Sequence, residues 1–232
     1  MLLKVFFGCH FTCGLIEDLP SIKGDLRSHL GWAAVCDPAR RLDRRSPRYN
    51  HGMERYRIVE GVGLYYVTFT VVEWLPVFID ETACQVVTNS FNFCITNKHL
   101  RINAYAIMPT HLHAILFDSE FNPERLKHTL DDLRKFTGRQ LLDHAARHLP
   151  KTFTECFQEH AGKDRERWFW QPSQHPVGIL SNEFWKQKLD YVHHNPCCKG
   201  LVRNPEDWRF SSARYWMTGE EGDVQLSDVG WE

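Results

Sequence analysis

The sequence predicts an α+β fold on three observations: one long β-branched and aromatic run, two short apolar runs set to fold as a hairpin, and two long stretches of helical periodicity. Its 232 residues suit one domain plus an appendage. Hydrophobic residues at 43% and charged residues at 25% exclude a disordered or collagen-like chain. No apolar run approaches the roughly eighteen residues that a membrane-spanning helix needs.

Residues 1–52 read as an N-terminal extension with poor order. They hold two glycine-bounded apolar scraps and then the basic, aperiodic run Ala39-Arg40-Arg41-Leu42-Asp43-Arg44-Arg45-Ser46-Pro47-Arg48. The apolar start is too short for a signal peptide and contains Lys4. Met53 would serve equally well as a start, and residues 53–232 form the expected domain.

Residues 63–73 have strand character, with Tyr65, Val67, Phe69 and Val71 alternating against Tyr66, Thr68 and Thr70. The first set faces the core, which predicts a half-buried strand. Residues 82–98 read as a helix capped by Thr82. Residues 102–108 and 111–117 are apolar runs broken only by Pro109-Thr110, hence a hairpin. Residues 123–148 form the longest helix, with Leu126, Leu130, Leu133, Phe136 and Leu141 as its apolar stripe. A polar connector follows over 149–167, a strand begins at Trp168-Phe169-Trp170-Gln171, and a second long helix over 182–194 stops before Pro196.

The net charge of −1 does not advertise a nucleic-acid binder, but its distribution is uneven. Residues 1–52 carry +3, residues 53–205 carry +1 and residues 206–232 carry −5, so a local basic groove in the middle is compatible with the total. Eight cysteines at irregular spacing suit a reduced, cytoplasmic protein better than a disulfide framework. Cys9 and Cys13 flank His10, but no second pair stands at zinc-finger spacing.

Two segments carry candidate chemistry. In His111-Leu112-His113 the two imidazoles lie on one face of a strand, where they either share a divalent cation or form ordinary hydrogen bonds. In Tyr191-Val192-His193-His194-Asn195-Pro196, a helix puts Asn195 one turn below Tyr191, so phenol and amide converge. The other reading is a buried tyrosine followed by an Asn-Pro helix stop, and His193 or His194 competes with Asn195 as a ligand.

Together these segments resemble the single-tyrosine HUH transposases, specifically the REP-associated tyrosine transposases. Asn103-Ala104-Tyr105-Ala106-Ile107-Met108-Pro109-Thr110-His111-Leu112-His113 matches the family's strand-turn-strand with paired histidines. Lys135-Phe136-Thr137 looks like the motif of the next helix. Asp190-Tyr191-Val192-His193-His194-Asn195-Pro196, with Lys199-Gly200-Leu201-Val202 after it, resembles the nucleophile helix. Trp208-Arg209-Phe210-Ser211-Ser212-Ala213-Arg214-Tyr215 is similar to the closing segment, and the resemblance spans residues 55–216.

The resemblance implies an antiparallel sheet with packed helices, ferredoxin-like, of the HUH endonuclease type. It implies cutting of single-stranded DNA near hairpins, with a divalent metal and a tyrosine that becomes linked to the 5′ phosphate. Carried over by position, His111, His113 and Asn195 bind the metal and Tyr191 is the nucleophile. A free tyrosine has a pKa of about 10 and is a weak nucleophile near neutrality, so a cation that polarises the phosphate makes chemical sense. The mixed nitrogen and oxygen shell suits Mg²⁺ or Mn²⁺. Strand transfer then follows, because the covalent link stores the phosphodiester energy.

For DNA binding, Arg125, Lys127, Arg134, Lys135 and Arg139 are candidates to track phosphates, and Trp168, Trp170 and Trp185 to stack on unpaired bases. Two features depart from the family's pattern. Residues 53–232 sum to −4, and Gln174-His175-Pro176-Val177-Gly178 stands where a more basic, aromatic segment is expected. The competing functions are an inactive hairpin-binding module and an unrelated zinc hydrolase using His111, His113 and His193 or His194. The expected partner is hairpin-containing single-stranded DNA, with no membrane, and the chain acts as a monomer or homodimer.

Overall fold

The computed structural model describes residues 57–161, 168–172 and 176–230. The expected extension over 1–52 and the Cys9-His10-Cys13 cluster lie outside them. The elements run β1 (Leu64–Thr70), α1 (Glu81–Asn97), β2 (Leu100–Met108), β3 (His111–Asp118), α2 (Pro123–His148), α3 (Lys151–Glu159), β4 (Val177–Ile179), α4 (Asn182–Cys198) and α5 (Ala213–Thr218). The strands make one antiparallel sheet in the order β2-β3-β1-β4. Apart from the inserted α3 and the α4 and α5 that follow β4, this is the βαββαβ ferredoxin-like arrangement. Among the described residues no helix is long and apolar enough to cross a membrane.

Both faces of the sheet are covered. On one, Tyr65, Val67 and Phe69 of β1 pack with Val87 and Phe91 of α1 and with Leu126, Leu130, Leu133 and Leu141 of α2. On the other, Leu64, Tyr66, Ala104, Ala106, Ile115 and Phe117 pack against Trp185 and Val192 of α4. The alternation read in β1 is therefore right, but the strand is buried on both sides rather than half-buried. Period-2 patterning cannot anticipate a second helical layer whose contacts include tyrosine and threonine.

The hairpin forms about Pro109-Thr110, and Ala106 stands opposite His113. Between Ile102 and Ala104 the register shifts, so Asn103 is the extra residue of a β-bulge. The bulge lets Ile102, Tyr105 and Ile107 serve one core while Ala104 and Ala106 serve the other.

Several boundaries differ from expectation for identifiable reasons. Asp80, not Thr82, caps α1, its carboxylate accepting from the Ala83 N–H at 2.9 Å. Phe136 is exposed and leaves the α2 stripe, whose face is continued by Thr137 and Gly138. The expected polar connector contains α3, which hides Phe157 and packs Phe153 and Cys156 beside it. Trp170 makes only an isolated bridge to Val71 rather than a strand. Helix α4 does not stop before Pro196 but carries it in its last turn, where the missing N–H removes one ladder bond. Cys84, Cys94, Cys156 and Cys197 carry free thiols.

The β3–α2 junction is built on one buried carboxylate. Asp118 accepts from Arg125 Nε at 2.7 Å and Nη2 at 2.6 Å, and from the N–H groups of Glu120 and Asn122. Burial alone would raise its carboxyl, but the Arg125 guanidinium and the two N–H groups outweigh that and hold it below the usual range. A depressed carboxyl contributes stability that is present above its unfolded pKa, about 3.9, and is lost as pH falls through the lower folded value. Asp118→Asn is expected to cost about 3 kcal/mol at neutral pH, because it leaves Arg125 only the exposed Glu120 carboxylate, and to cost much less in acid. Urea denaturation at the two pH values checks this.

Candidate functional site

Strand β3 points His111 and His113 away from α1 and α2 and toward α4. Their rings stand 4.6 Å apart, centroid to centroid. Both are buried, and β1 lies alongside with Thr68 opposite His113 and Thr70 opposite His111. His113 Nδ1 is 2.7 Å from Tyr66 Oη and 2.9 Å from Thr68 Oγ1, while Asn195 Nδ2 approaches Nε2 at 3.2 Å. An amide N–H only donates, so Nε2 is the bare nitrogen and the ring proton sits on Nδ1. Tyr66 and Thr68 thus fix the tautomer that leaves Nε2 facing the site.

Helix α4 is held against β2 at both ends. Trp185 Nε1 donates to Asn103 Oδ1 at 2.8 Å. His193 Nε2 shares a 2.8 Å hydrogen bond with Ser212 Oγ, and the Tyr105 N–H donates to the same Oγ at 2.9 Å. The alanines of β2 let the helix approach closely. These anchors set its rotation, so that Tyr191 and Asn195, one turn apart, face the histidines. Tyr191 is 41% exposed, and its ring lies edge-on to His113 at 5.3 Å. Asn195 is 5% exposed.

The electrostatics keep both imidazoles neutral. Burial, with the Lys199 ammonium adding to it, lowers His111 to about 4. His113 falls well below its ordinary value through burial, His111, Lys188 and Lys199. Lys188 is itself buried, its Nζ 4.6 Å from the Tyr66 ring centroid, 5.2 Å from that of Phe184 and 5.8 Å from that of Tyr191. Neutral imidazoles are the ligand form that a divalent cation requires.

The residues present fit such a cation. Asn195 Oδ1 is buried and has no hydrogen-bond partner among the described residues, a cost of about 1–3 kcal/mol that a cation would offset. No group of three histidine, cysteine or carboxylate side chains gathers among the described residues. The third donor here is the amide. His193 is committed to Ser212, and His194 Nδ1 lies 3.0 Å from the Asp190 carbonyl oxygen. The zinc-hydrolase alternative therefore lacks its third histidine.

The structure brings His111, His113, Asn195 and Tyr191 together, but it does not bring the proposed DNA contacts to them. Arg125, Lys127, Arg134, Lys135 and Arg139 all lie on α2, which packs on the opposite face of the sheet. Arg125 is bound to Asp118 and Glu120. Arg134 covers the Phe69 ring and donates to the Gln171 carbonyl. Trp170 is a core residue stacked on Phe78, its Nε1 donating to Thr137 Oγ1. Trp185 is equally buried, and Trp168 is half-buried with its backbone N–H on the Phe157 carbonyl. The buried Trp170 and Trp185 have no free face for a base.

Sequence reasoning missed Tyr66, Thr68, Lys188 and Trp74. The first two stood on the face of β1 assigned away from the core, and only the β1–β3 register puts that face against the histidines. Lys188 precedes Tyr191 by three residues, a helical spacing that could have found it.

No family model and no curated protein matches the chain. Among solved structures it is similar to a REP-associated tyrosine transposase bound to a REP hairpin. That match has 19% identity and a TM-score of 0.46, covering 72% of this chain and 87% of that one. It is also similar to a candidate transposase from Deinococcus radiodurans R1, with 16% identity and a TM-score of 0.39, covering 56% of this chain and 87% of that one. At such identities the likeness concerns the fold alone.

Proposed function

We propose that residues 53–232 form a divalent-metal-dependent endonuclease and strand transferase that cuts single-stranded DNA near hairpins through a covalent 5′-phosphotyrosine. The observation that carries this reading is the convergence of two neutral imidazoles, a buried amide oxygen without a partner, and an exposed phenol. His111, His113 and Asn195 would hold Mg²⁺ or Mn²⁺, and the imidazoles favour Mn²⁺. When bound, the cation draws charge from a non-bridging phosphate oxygen and stabilises the transition state.

The remaining steps belong to the chain's own groups. Tyr191 Oη bonds to phosphorus and gives its proton to solvent, while the P–O3′ bond breaks and its electron pair leaves on the 3′ oxygen, which is protonated to a hydroxyl. Attack by that hydroxyl, or by another, reverses the step and joins strands. Lys188 and Lys199 bring positive charge to the site, which attracts a phosphate and repels a dication. The metal is then held most tightly when DNA is present. Donors and nucleophile come from one chain, so a monomer is sufficient to cut.

A denaturing gel with labelled hairpin oligonucleotides tests the reading. Wild type in Mn²⁺ is expected to give a protein-linked DNA band that EDTA removes. Tyr191→Phe should bind the oligonucleotide and give no band. Cutting at an undiminished rate by Tyr191→Phe would overturn the assignment.

A further inference from the structure

The histidines are not flanked by Tyr191 alone. On the other side of the pair stands Trp74, whose ring meets His111 edge-on at 5.5 Å and 74°. The four rings thus form a chain: Trp74 against His111, His111 against His113, and His113 against Tyr191. Its two ends are the solvent-accessible ones, with Trp74 at 56% exposure and Tyr191 at 41%. Of the other described tryptophans, Trp170 and Trp185 are buried and Trp168, Trp208 and Trp216 are half-buried.

Trp74 is held in place at a conformational cost. Glu73 and Trp74 have φ of 51° and 56°, a left-handed region that non-glycine residues seldom enter. Their turn is pinned on several sides. Val71 N–H donates to the Thr110 carbonyl and Val72 N–H to that of Phe169. Trp74 N–H donates to the Val71 carbonyl, and the Glu73 carboxylate lies 3.0 Å from His160 Nε2. A fixed turn therefore presents a large aromatic surface to water beside a catalytic donor set, and the core gains nothing from it.

We infer that Trp74 is a stacking platform for one unpaired nucleobase, that of the nucleotide immediately 5′ of the cut phosphate. This rests on the proposed reaction. In phosphoryl transfer the attacking and leaving oxygens lie roughly in line on opposite sides of phosphorus. Tyr191 attacks from the His113 end, so the nucleoside that keeps the 3′ oxygen departs at the His111 end, where the indole stands. An exposed aromatic face accepts any base, so this contact binds single strands without reading sequence. A base within a duplex has both faces covered by its stacked neighbours, which makes Trp74 a selector for single-stranded DNA at that nucleotide.

The test uses Tyr191→Phe, which holds the strand uncut, and oligonucleotides with one 2-aminopurine moved through the positions around the cut mapped with wild type. Quenching is expected at the nucleotide 5′ of the cut and should disappear in Trp74→Ala/Tyr191→Phe, while Trp74→Phe/Tyr191→Phe keeps most of it. An abasic site at that nucleotide should weaken binding about tenfold in Tyr191→Phe and have little further effect in the double variant with alanine. Equal abasic penalties in both backgrounds, with wild type cutting normally, would overturn the role of Trp74 and leave the reaction standing. A wild type that forms no covalent product on any hairpin oligonucleotide would overturn the reaction itself.

Discussion

His113→Ala is expected to slow covalent cutting by about a thousandfold or more, and to abolish its response to Mn²⁺. The ring supplies the central donor of the site, with Nε2 beside Asn195 and Nδ1 on Tyr66 and Thr68. A catalytic cation contributes several kcal/mol of transition-state stabilisation, and each 1.36 kcal/mol is tenfold in rate. The variant also leaves Tyr66 Oη and Thr68 Oγ1 short of a partner, so its stability should fall by about 1–3 kcal/mol. Single-turnover rates at rising Mn²⁺ check the prediction, with thermal unfolding as the control for folding. A variant that folds and still responds to the metal as wild type does would refute the role of His113.

Asn103→Leu, which keeps the number and branching of the side-chain heavy atoms but removes both polar ones, is expected to destabilise the domain by about 3 kcal/mol. Asn103 is fully buried in its bulge and answers three neighbours. Its Oδ1 accepts from Trp185, its Nδ2 donates to the Ser227 carbonyl at 3.0 Å, and its own carbonyl accepts from Trp216 Nε1 at 3.0 Å. Leucine strands the buried indole N–H of Trp185 and removes the donor to the half-buried Ser227 carbonyl. It also loosens the N-terminal anchor of α4, so cutting should fall although no group at the site has changed. Urea denaturation with an unchanged slope, together with the cutting rate, measures both effects.

The parts legible in the sequence were those governed by local periodicity. The faces of β1, the Pro109-Thr110 hairpin, the extent of α2 and the juxtaposition of Tyr191 with Asn195 all follow from spacing within one element. What depends on neighbours in space was not legible. The buried state of Trp170 and Trp185 is set by Thr137 and Asn103, each distant in the chain. The cations of α2 look basic in sequence, but the sheet separates them from the histidines. Helix α3 escaped notice because one fully buried residue, Phe157, carries most of its packing in an otherwise polar stretch. The bulge at Asn103 leaves no sequence signal, since asparagine is an ordinary residue in a strand interior only when its amide is fully partnered.

Mass spectrometry of the protein after reaction with a hairpin oligonucleotide in Mn²⁺ tests the central claim most directly. Proteolysis and nuclease trimming should leave a 5′-phosphonucleotide remnant on the peptide that contains Tyr191, on that tyrosine, and on no peptide when EDTA is present. Cut DNA with a free 5′ phosphate and an unmodified Tyr191 would contradict the account.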